Sequence, residues 1–211
     1  MKLRLFLCLL LAATTAAHAA EKKPPKAMRL KGDVILADDF KAEKLDEKWI
    51  FPKGEEAAKF ETATGALVMD QAAAKGAVIW RAFDAPVEDA SIQLLVKPWA
   101  CSWIAFGFYT PGERPGAQRK INIAVTPTGV VAVRDVESQT NLKAANTRVD
   151  AAKEWQRVAF ESKGDKLTVM VNDKAVIELK TELTQGPKAG ILLNLYGGKG
   201  SVGEIEVKKL K

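Results

Sequence analysis

The chain has 211 residues, of which 47% are hydrophobic and 27% charged, and this composition excludes a disordered, collagen-like or disulfide-dominated protein. Its formal net charge of +6 is unevenly distributed, because residues 1–20 contribute +2 and residues 21–31 contribute +4. The rest of the chain therefore has no net charge and no overall field that would attract phosphates, so we expect no nucleic-acid partner.

The first 19 residues are predicted to be a secretory signal peptide. Lys2 and Arg4 form a charged start, residues 5–11 form a mainly apolar run, and Ala17-His18-Ala19 supplies the small residues that a signal peptidase requires. The apolar run is too short to span a bilayer permanently, and no later run approaches the ~20 residues that a spanning helix needs. We therefore expect an exported protein, periplasmic or extracellular, without a transmembrane segment.

Removal of this leader would limit the chemistry that the chain can perform. It would take away His18, the only histidine, and leave Cys101 as the only cysteine. Without a histidine base, neither a Ser-His-Asp nor a Cys-His arrangement can form, and a zinc site of thiolates and imidazoles is equally excluded. Cys101 is expected to be a small buried hydrophobic residue. Carboxylate chemistry, or binding without chemistry, remains.

The chain after the leader divides into a linker and one domain. Residues 20–32 contain Pro24-Pro25 and clustered lysines, which predict a flexible or extended basic linker. Residues 33–211 show short alternating apolar runs separated by Gly, Pro, Asn and Asp, which predict antiparallel strands. The thirteen expected strands are 34–40, 59–62, 66–70, 77–83, 90–97, 102–110, 120–126, 130–136, 154–162, 166–171, 175–179, 190–196 and 202–208. Since so many strands do not fit comfortably in one open sheet, we predict an all-β, two-sheet antiparallel sandwich.

Several short stretches resemble a known superfamily. The sequences ILADDF at 35–40, LDEKW at 45–49 and GALV at 65–68 resemble the N-terminal part of concanavalin A-like jelly rolls. The sequences EWQRV at 154–158, LTVMVND at 167–173 and GPKAGI at 186–191 resemble their C-terminal half. The same order is similar to that of laminin-G-like domains and of bacterial 3-keto-disaccharide hydrolase-type domains. The resemblance implies a concanavalin A-like lectin/glucanase fold in which the first and last strands pair, within a superfamily of lectins, carbohydrate-binding modules, glycosidases and protein-binding domains.

Alternation along the strands separates a core face from a polar face. In residues 102–110 the core side is expected to carry Ile104, Phe106 and Phe108, and the other side Trp103, Ala105, Gly107 and Tyr109. The same sorting of neighbouring strands collects the predicted ligand-binding residues: Arg81, Gln93, Trp103, Tyr109, Asn122, Arg134, Asn194 and Tyr196. For Arg81 the pattern leaves open which face is inward.

This set of residue types suits a sugar. Planar amides and guanidinium groups offer paired donors and acceptors to vicinal hydroxyls, and aromatic rings offer a surface to the C–H side of a pyranose. We therefore predict a neutral or weakly charged glycan bound on a concave sheet face. The alternative is an ordinary polar outer face, with Trp103 or Tyr109 covered by a loop.

Evidence for catalysis is weak. A glycosidase needs two carboxyls about 5–5.5 Å apart for retention or about 6.5–9.5 Å for inversion, and the E-x-D-x-x-E run of laminarinase-type relatives is absent. Glu204 and Glu206 share one face of the last strand, where charge is normal decoration. Asp135 and Glu137 are the weak catalytic candidates. No metal site or cofactor is expected, although adjacent loop carboxylates, at 38–39, 46–47 and 88–89, leave calcium open.

Three hypotheses follow for the function. The first is an exported lectin-like domain that binds a carbohydrate or glycoconjugate without chemistry. The second is a carboxylate-dependent glycoside hydrolase of the 3-keto-disaccharide hydrolase type. The third is a laminin-G-like, protein-binding envelope module. The sequence leaves the glycan and the oligomeric state open.

Overall fold

A computed structural model describes residues 23–51, 58–63, 65–71, 77–112 and 120–211. The predicted signal peptide and residues 20–22 lie outside these ranges. The described residues form twelve strands: β1 (Asp33–Asp38), β2 (Ala58–Ala63), β3 (Ala66–Gln71), β4 (Ala77–Val87), β5 (Ala90–Tyr109), β6 (Ile121–Val125), β7 (Val130–Asp135), β8 (Asn141–Asn146), β9 (Gln156–Lys163), β10 (Lys166–Val171), β11 (Lys174–Lys180) and β12 (Lys188–Lys209). A 3₁₀ turn, Glu182–Thr184, is the helical element of this part of the chain, and no helix there is long and apolar enough to cross a membrane.

The two longest strands, β5 and β12, divide one hydrogen-bonded network into two layers. The first half of β5 pairs with β9 and with the second half of β12, whereas the second half of β5 pairs with β6 and with the first half of β12. The first sheet thus contains β11, β10, β9, β5, β12, β1, β3 and β2, and the second sheet contains β8, β7, β6, β5, β12 and β4.

The two sheets face each other across one core. The ring of Phe108, in the second sheet, lies 5.2 Å from the ring of Phe160, in the first. Ile104 and Phe106 are fully buried, as the alternation predicts. Strand β1 pairs with the end of β12 from Asp33 opposite Lys209 to Asp38 opposite Ile205. The predicted two-sheet sandwich is therefore confirmed, and the first and last strands pair as expected.

Thirteen strands were predicted and twelve are described, because two pairs of predicted runs merge and one strand, β8, is added. Runs 90–97 and 102–110 form one strand, β5, and runs 190–196 and 202–208 form one strand, β12. The predicted turn at Gly197-Gly198 bends β12 from one sheet to the other without reversing it. Gly198 has a φ of +95°, and a Cβ built there would lie 1.9 Å from the carbonyl oxygen of Ala100, so only glycine fits the bend.

Strand β8 was absent from the predicted elements. Its sequence, NLKAAN, has no β-branched or aromatic residue, so it lacks the composition by which strands are recognised. It is held as an edge strand by β7. The Lys143 Nζ also donates a hydrogen bond of 2.8 Å to the carbonyl oxygen of Glu178 in β11, which links the edges of the two sheets.

Residues 23–31, called the strap below, pack against the outer face of the first sheet. The N–H of Met28 donates to the Gln93 Oε1 at 2.8 Å, and the Gln93 Nε2 donates back to the carbonyl oxygen of Met28 at 3.1 Å. Arg157 donates to the carbonyl oxygen of Pro25 at 3.1 Å. Met28 is only 4% exposed. The segment expected to be a linker is therefore extended, but its described part is bound to the domain.

Candidate functional site

Two aromatic side chains stack on the outer face of the second sheet. The register of β5 and β12 places Trp103 opposite Tyr196, and their rings lie 5.4 Å apart at an angle of 10°. The guanidinium carbon of Arg134, on β7, lies 5.8 Å from the centre of the Trp103 ring. Tyr196 is 41% exposed, whereas Trp103 is half-buried. Trp103 therefore packs behind the ring of Tyr196, and the Tyr196 ring is the more exposed of the two.

A row of alanines crosses the same face beside this pair. Adjacent strands pair Ala105 with Ala124, Ala124 with Ala132, and Ala132 with Ala144. The first three are buried although they point away from the core. The small side chains keep the sheet surface flat between the aromatic pair and the next row of residues.

Polar groups that lack partners lie in this row, where Asn194 is opposite Ala105, and in the next row. Asn122 pairs across the strands with Arg134, and Trp80 lies opposite Leu192 on the β4 side. Asn122 and Asn194 are only 5% and 6% exposed. Their Oδ1 atoms and the Nε1 of Trp80 are buried and have no hydrogen-bond partner among the described residues. Such groups cost about 1–3 kcal/mol each when they are left unpaired, so a donor or acceptor that reaches them is favoured.

We call this surface the aromatic face; it comprises Trp80, Trp103, Asn122, Arg134, Asn194 and Tyr196. Tyr109 also points to this side, opposite Gly190, but is 3% exposed. Burial raises the pKa of its phenol. The structure thus brings five of the predicted binding residues together at the surface, with Tyr109 packed beneath it.

Gln93 was expected on the same face, and the structure places it elsewhere. It belongs to the first half of β5, which lies in the first sheet. Its side chain is 1% exposed, is bonded to Met28 of the strap, and donates to Glu206 at 2.7 Å. The predicted position of Gln93 was wrong because β5 crosses from one sheet to the other. The polar side of its first half faces outward from the first sheet, and the polar side of its second half faces outward from the second sheet.

Arg81 also lies away from the aromatic face. It shares the side of β4 that carries the buried Ile79. Its Nη1 lies 3.1 Å from the Asp38 Oδ2 and its Nη2 lies 3.0 Å from the Asp46 Oδ2. The indole of Trp49 donates to the same carboxylate of Asp38 at 2.9 Å. Arg81 therefore ties the start of the domain to β4, and it neutralises two of the carboxylates for which calcium was left open.

The weak catalytic candidates lie in a turn. The carboxylate of Asp135 accepts hydrogen bonds from the N–H of Glu137 at 2.9 Å and from the hydroxyl of Ser138 at 2.7 Å. The Ser138 hydroxyl is the main cause that lowers the pKa of Asp135. Asp135 also lies on the opposite side of β7 from Arg134. It is therefore a turn-stabilising residue, and Glu137 contributes its backbone to the same turn.

Other carboxylates are similarly engaged. Glu204 accepts from Arg157 at 2.8 Å, and Glu206 pairs with Lys208 at 3.1 Å. At the outward positions next to Trp103 and Tyr196, the described strands carry no Asp or Glu. Within the described ranges, no group of three or more His, Cys, Asp or Glu side chains could hold a metal ion.

The sequence pattern did not predict that Trp80 lies on the outer face. Both sides of 77–83 are similarly apolar, with Val78, Trp80 and Ala82 on one side and Ile79, Arg81 and Phe83 on the other. The structure settles the choice because Ile79 is fully buried. Trp80 is thereby placed on the outer side, within the aromatic face.

Comparisons with known proteins find similarity in structure only. No protein-family model matches the chain, and no curated protein sequence matches it. Among solved structures, the carbohydrate-binding module CBM66 from Bacillus subtilis has a TM-score of 0.62 at 12% identity, covering 76% of this chain and 95% of that one. An endo-β-1,3-glucanase from Pyrococcus furiosus has a TM-score of 0.66 at 14% identity, with coverage of 85% and 95%. A Bacillus subtilis protein described as having a galectin-like fold has a TM-score of 0.65 at 10% identity, with coverage of 86% and 98%.

These similarities establish the fold. The chain has the jelly-roll fold of the concanavalin A-like lectins and glucanases, as the resemblance of its sequence implies. At such identities the likeness carries the fold alone, and the function has to be argued from the site.

Proposed function

We propose that this protein binds a neutral or weakly charged glycan on its aromatic face and performs no chemistry on it. The observation that carries the proposal is the coincidence, on one sheet surface, of an exposed ring with buried polar groups that lack partners. Tyr196 is the exposed ring, and the amide oxygens of Asn122 and Asn194 are the unpartnered groups.

The chemistry of these groups matches that of a sugar. A pyranose presents C–H groups on one side and hydroxyls at its rim. The ring of Tyr196, supported from behind by Trp103, would accept the C–H side. Hydroxyl groups of the same sugar would accept hydrogen bonds from Arg134 beside the Trp103 ring. After the side chains around them rearrange, other hydroxyl groups would pair with the buried asparagine oxygens and the indole N–H of Trp80. A ligand that satisfies buried groups of this kind gains specificity as well as affinity.

Binding without hydrolysis is favoured over the glycoside hydrolase alternative. A hydrolase would need two carboxyls across the scissile bond. The described strands place none at the outward positions beside Trp103 and Tyr196. The similarity to solved glucanases supports the fold of this chain alone. The two candidate catalytic carboxylates, Asp135 and Glu137, belong to a turn.

Export and the nature of the partner complete the proposal. The charged start, the apolar run and the small residues at 17–19 support secretion to the periplasm or beyond. The partner would then be a free glycan or a glycoconjugate of that compartment. If no glycan binds, the alternative hypothesis of a laminin-G-like, protein-binding module would be favoured.

The test is a glycan-array screen of the purified protein, followed by titration of the best hit with variants. Tyr196→Ala should weaken binding at least tenfold, which corresponds to about 1.4 kcal/mol of lost contact. Trp103→Ala should weaken it similarly, with a melting temperature within a few degrees of the parent protein. Val34→Ala, which removes an exposed apolar side chain on β1 of the first sheet, is the matched control and should bind normally.

Three results would contradict the proposal. Undiminished binding by Tyr196→Ala would place the glycan elsewhere. Cleaved or hydrated products, detected by mass spectrometry of the bound glycans, would make the protein an enzyme. An array without any hit would favour the protein-binding module.

A further inference from the structure

A second aromatic surface lies on the opposite side of the molecule. A cleft of about 730 Å³ opens on the outer face of the first sheet, beside the strap. Its lining comprises Lys23, Pro24, Gly65, Ala66, Val68, Leu95, Lys97, Trp99, Ala152, Lys153, Trp155, Ser201 and Gly203. We call it the tryptophan cleft. Its volume is within the ~300–1,000 Å³ typical of small-molecule sites.

Two tryptophans give this cleft its aromatic character. Trp99 lies where β5 passes between the sheets, is 42% exposed, and donates from its Nε1 to the Ser201 Oγ at 3.2 Å. This hydrogen bond orients the indole, and part of the indole remains exposed to solvent. Trp155 directly precedes β9 and is half-buried. An indole held in this orientation and open to solvent offers a stacking surface to a ligand.

The floor of the cleft is closely packed around a glycine of β12. Gly203 lies within β12, where glycine is less stable than other residues by roughly 0.5–1 kcal/mol. A Cβ built on Gly203 would lie 3.0 Å from the Leu95 Cβ and 3.6 Å from the Trp155 Cζ3. Glycine therefore lets Leu95 and the indole of Trp155 pack closely against the backbone of β12, and this packing positions Trp155 in the lining of the cleft.

The charge of the lining is of one sign. Lys23, Lys97 and Lys153 contribute to the described lining, and no Asp or Glu does. The ammonium of Lys153 pairs with Asp150 at 2.9 Å, but both side chains are largely in water, where such a pair contributes little. Lys153 can therefore turn toward an anion in the cleft at small cost.

We propose that the tryptophan cleft is a second binding site, which takes an acidic oligosaccharide whose rings carry carboxylate groups. The indoles of Trp99 and Trp155 would cover the C–H sides of the sugar rings, and Lys23 and Lys153 would pair with the carboxylates. This inference does not depend on the proposed function, because the cleft and the aromatic face lie on different sheets.

Charge distribution favours a saccharide over a nucleic acid. Binding of a polyphosphate requires a basic surface that follows the backbone over many charges. Residues 32–211 have no net charge, and the lysines of this cleft form a local group. Isolated carboxylates, spaced by sugar rings that can stack, match such a group better than a continuous row of phosphates.

The experiment is calorimetric titration of the purified protein with trimers of galacturonate, glucuronate and mannuronate. Each trimer is compared with its carboxyl-reduced, neutral counterpart. At least one acidic trimer should bind at least tenfold more tightly than its neutral form, and added salt should weaken its binding. A panel in which no acidic trimer exceeds its neutral counterpart would overturn the proposal, and so would tighter binding of a single-stranded oligonucleotide than of any trimer.

Variants then locate the site. Trp99→Ala should lower the affinity for the acidic trimer at least tenfold, and Trp99→Phe should retain most of the affinity. Lys153→Gln should lower this affinity severalfold. Lys174→Gln, at the exposed first residue of β11, is the charge-matched control and should bind normally. Loss of trimer binding in Tyr196→Ala with retention in Trp99→Ala would assign the trimer to the aromatic face and refute the second site.

Discussion

The substitution Gln93→Ala tests whether this residue anchors the strap or contacts a ligand. Its amide forms two hydrogen bonds with the backbone of Met28, at 2.8 and 3.1 Å, and one with Glu206 at 2.7 Å. The side chain is 1% exposed, so the strap lies directly over it. Alanine would remove the polar contacts that fix Met28 on the sheet, while leaving the aromatic face untouched.

The magnitude follows from those contacts. A buried hydrogen bond contributes about 0.5–1.5 kcal/mol net, and the two bonds to Met28 together contribute about 2 kcal/mol. Glu206 keeps Lys208 as a partner and loses little. Because the strap can lift and hydrate its backbone, the full penalty for unpaired buried groups does not apply. For a chain of this size, about 2 kcal/mol corresponds to a fall in melting temperature of roughly 4–8 °C.

The assay combines thermal unfolding with amide hydrogen exchange. Gln93→Ala should accelerate exchange at the Met28 amide, whose proton is held by the Gln93 side chain, and should leave glycan affinity unchanged. Gln185→Ala, at an exposed position after the 3₁₀ turn, is the control and should change neither quantity. Unchanged exchange at Met28 together with lost glycan binding would refute the anchoring role and return Gln93 to the ligand site.

Three further changes have defined outcomes. Gly198→Ala should lower the melting temperature by many degrees because its φ of +95° and its crowded surroundings exclude a side chain, whereas Gly164→Ala, at φ +56° with open space, should cost much less; equal losses would contradict the proposed bend. Asp135 has a pKa lowered chiefly by the Ser138 hydroxyl, so its carboxylate stabilises the fold above its unfolded pKa and this contribution disappears as the pH falls through the folded value. Asp135→Asn should therefore flatten the dependence of unfolding free energy on pH below about pH 4, measured in denaturant, and an unaltered slope would argue against that contribution. Burial raises the pKa of Cys101 to about 12, so a disulfide reagent at pH 8 should modify it only after unfolding, and rapid reaction of the native protein would show the thiol to be accessible.

The fold could be predicted because its signals are local. Alternation within 102–110 places Ile104, Phe106 and Phe108 in the core, and the structure buries all three. The resemblance to concanavalin A-like jelly rolls added the pairing of β1 with β12. Strand β8 escaped prediction because its residues lack the composition typical of strands.

The candidate site could be predicted only in part, because alternation specifies the side of a strand and not the sheet that the strand joins. The structure places Trp103, Asn194 and Tyr196 near one another because they lie on halves of β5 and β12 that pair directly. Gln93 follows the same alternation on the other half of β5, and the crossing between sheets moves it to the opposite side of the molecule. The glycines at 197–198 mark the position where β12 bends, but their pattern does not show that the strand continues into the other sheet.

Contacts between distant segments were also beyond the sequence. The strap meets β5 through Gln93 and Met28, which are 65 positions apart. The tryptophan cleft likewise joins the strap, β5, β12 and the residues before β9. Such surfaces arise from the register of the strands, which short motifs do not encode.

The central claim, a glycan bound on the aromatic face, is tested most directly by NMR titration of the labelled protein with an array hit. The indole N–H of Trp80 and the side-chain amides of Asn122 and Asn194 report on the unpartnered groups that the sugar should satisfy. The account predicts that these signals, with those around Tyr196, shift and saturate together with the measured affinity. Shifts confined to other surfaces, with these signals unmoved at saturation, would contradict it.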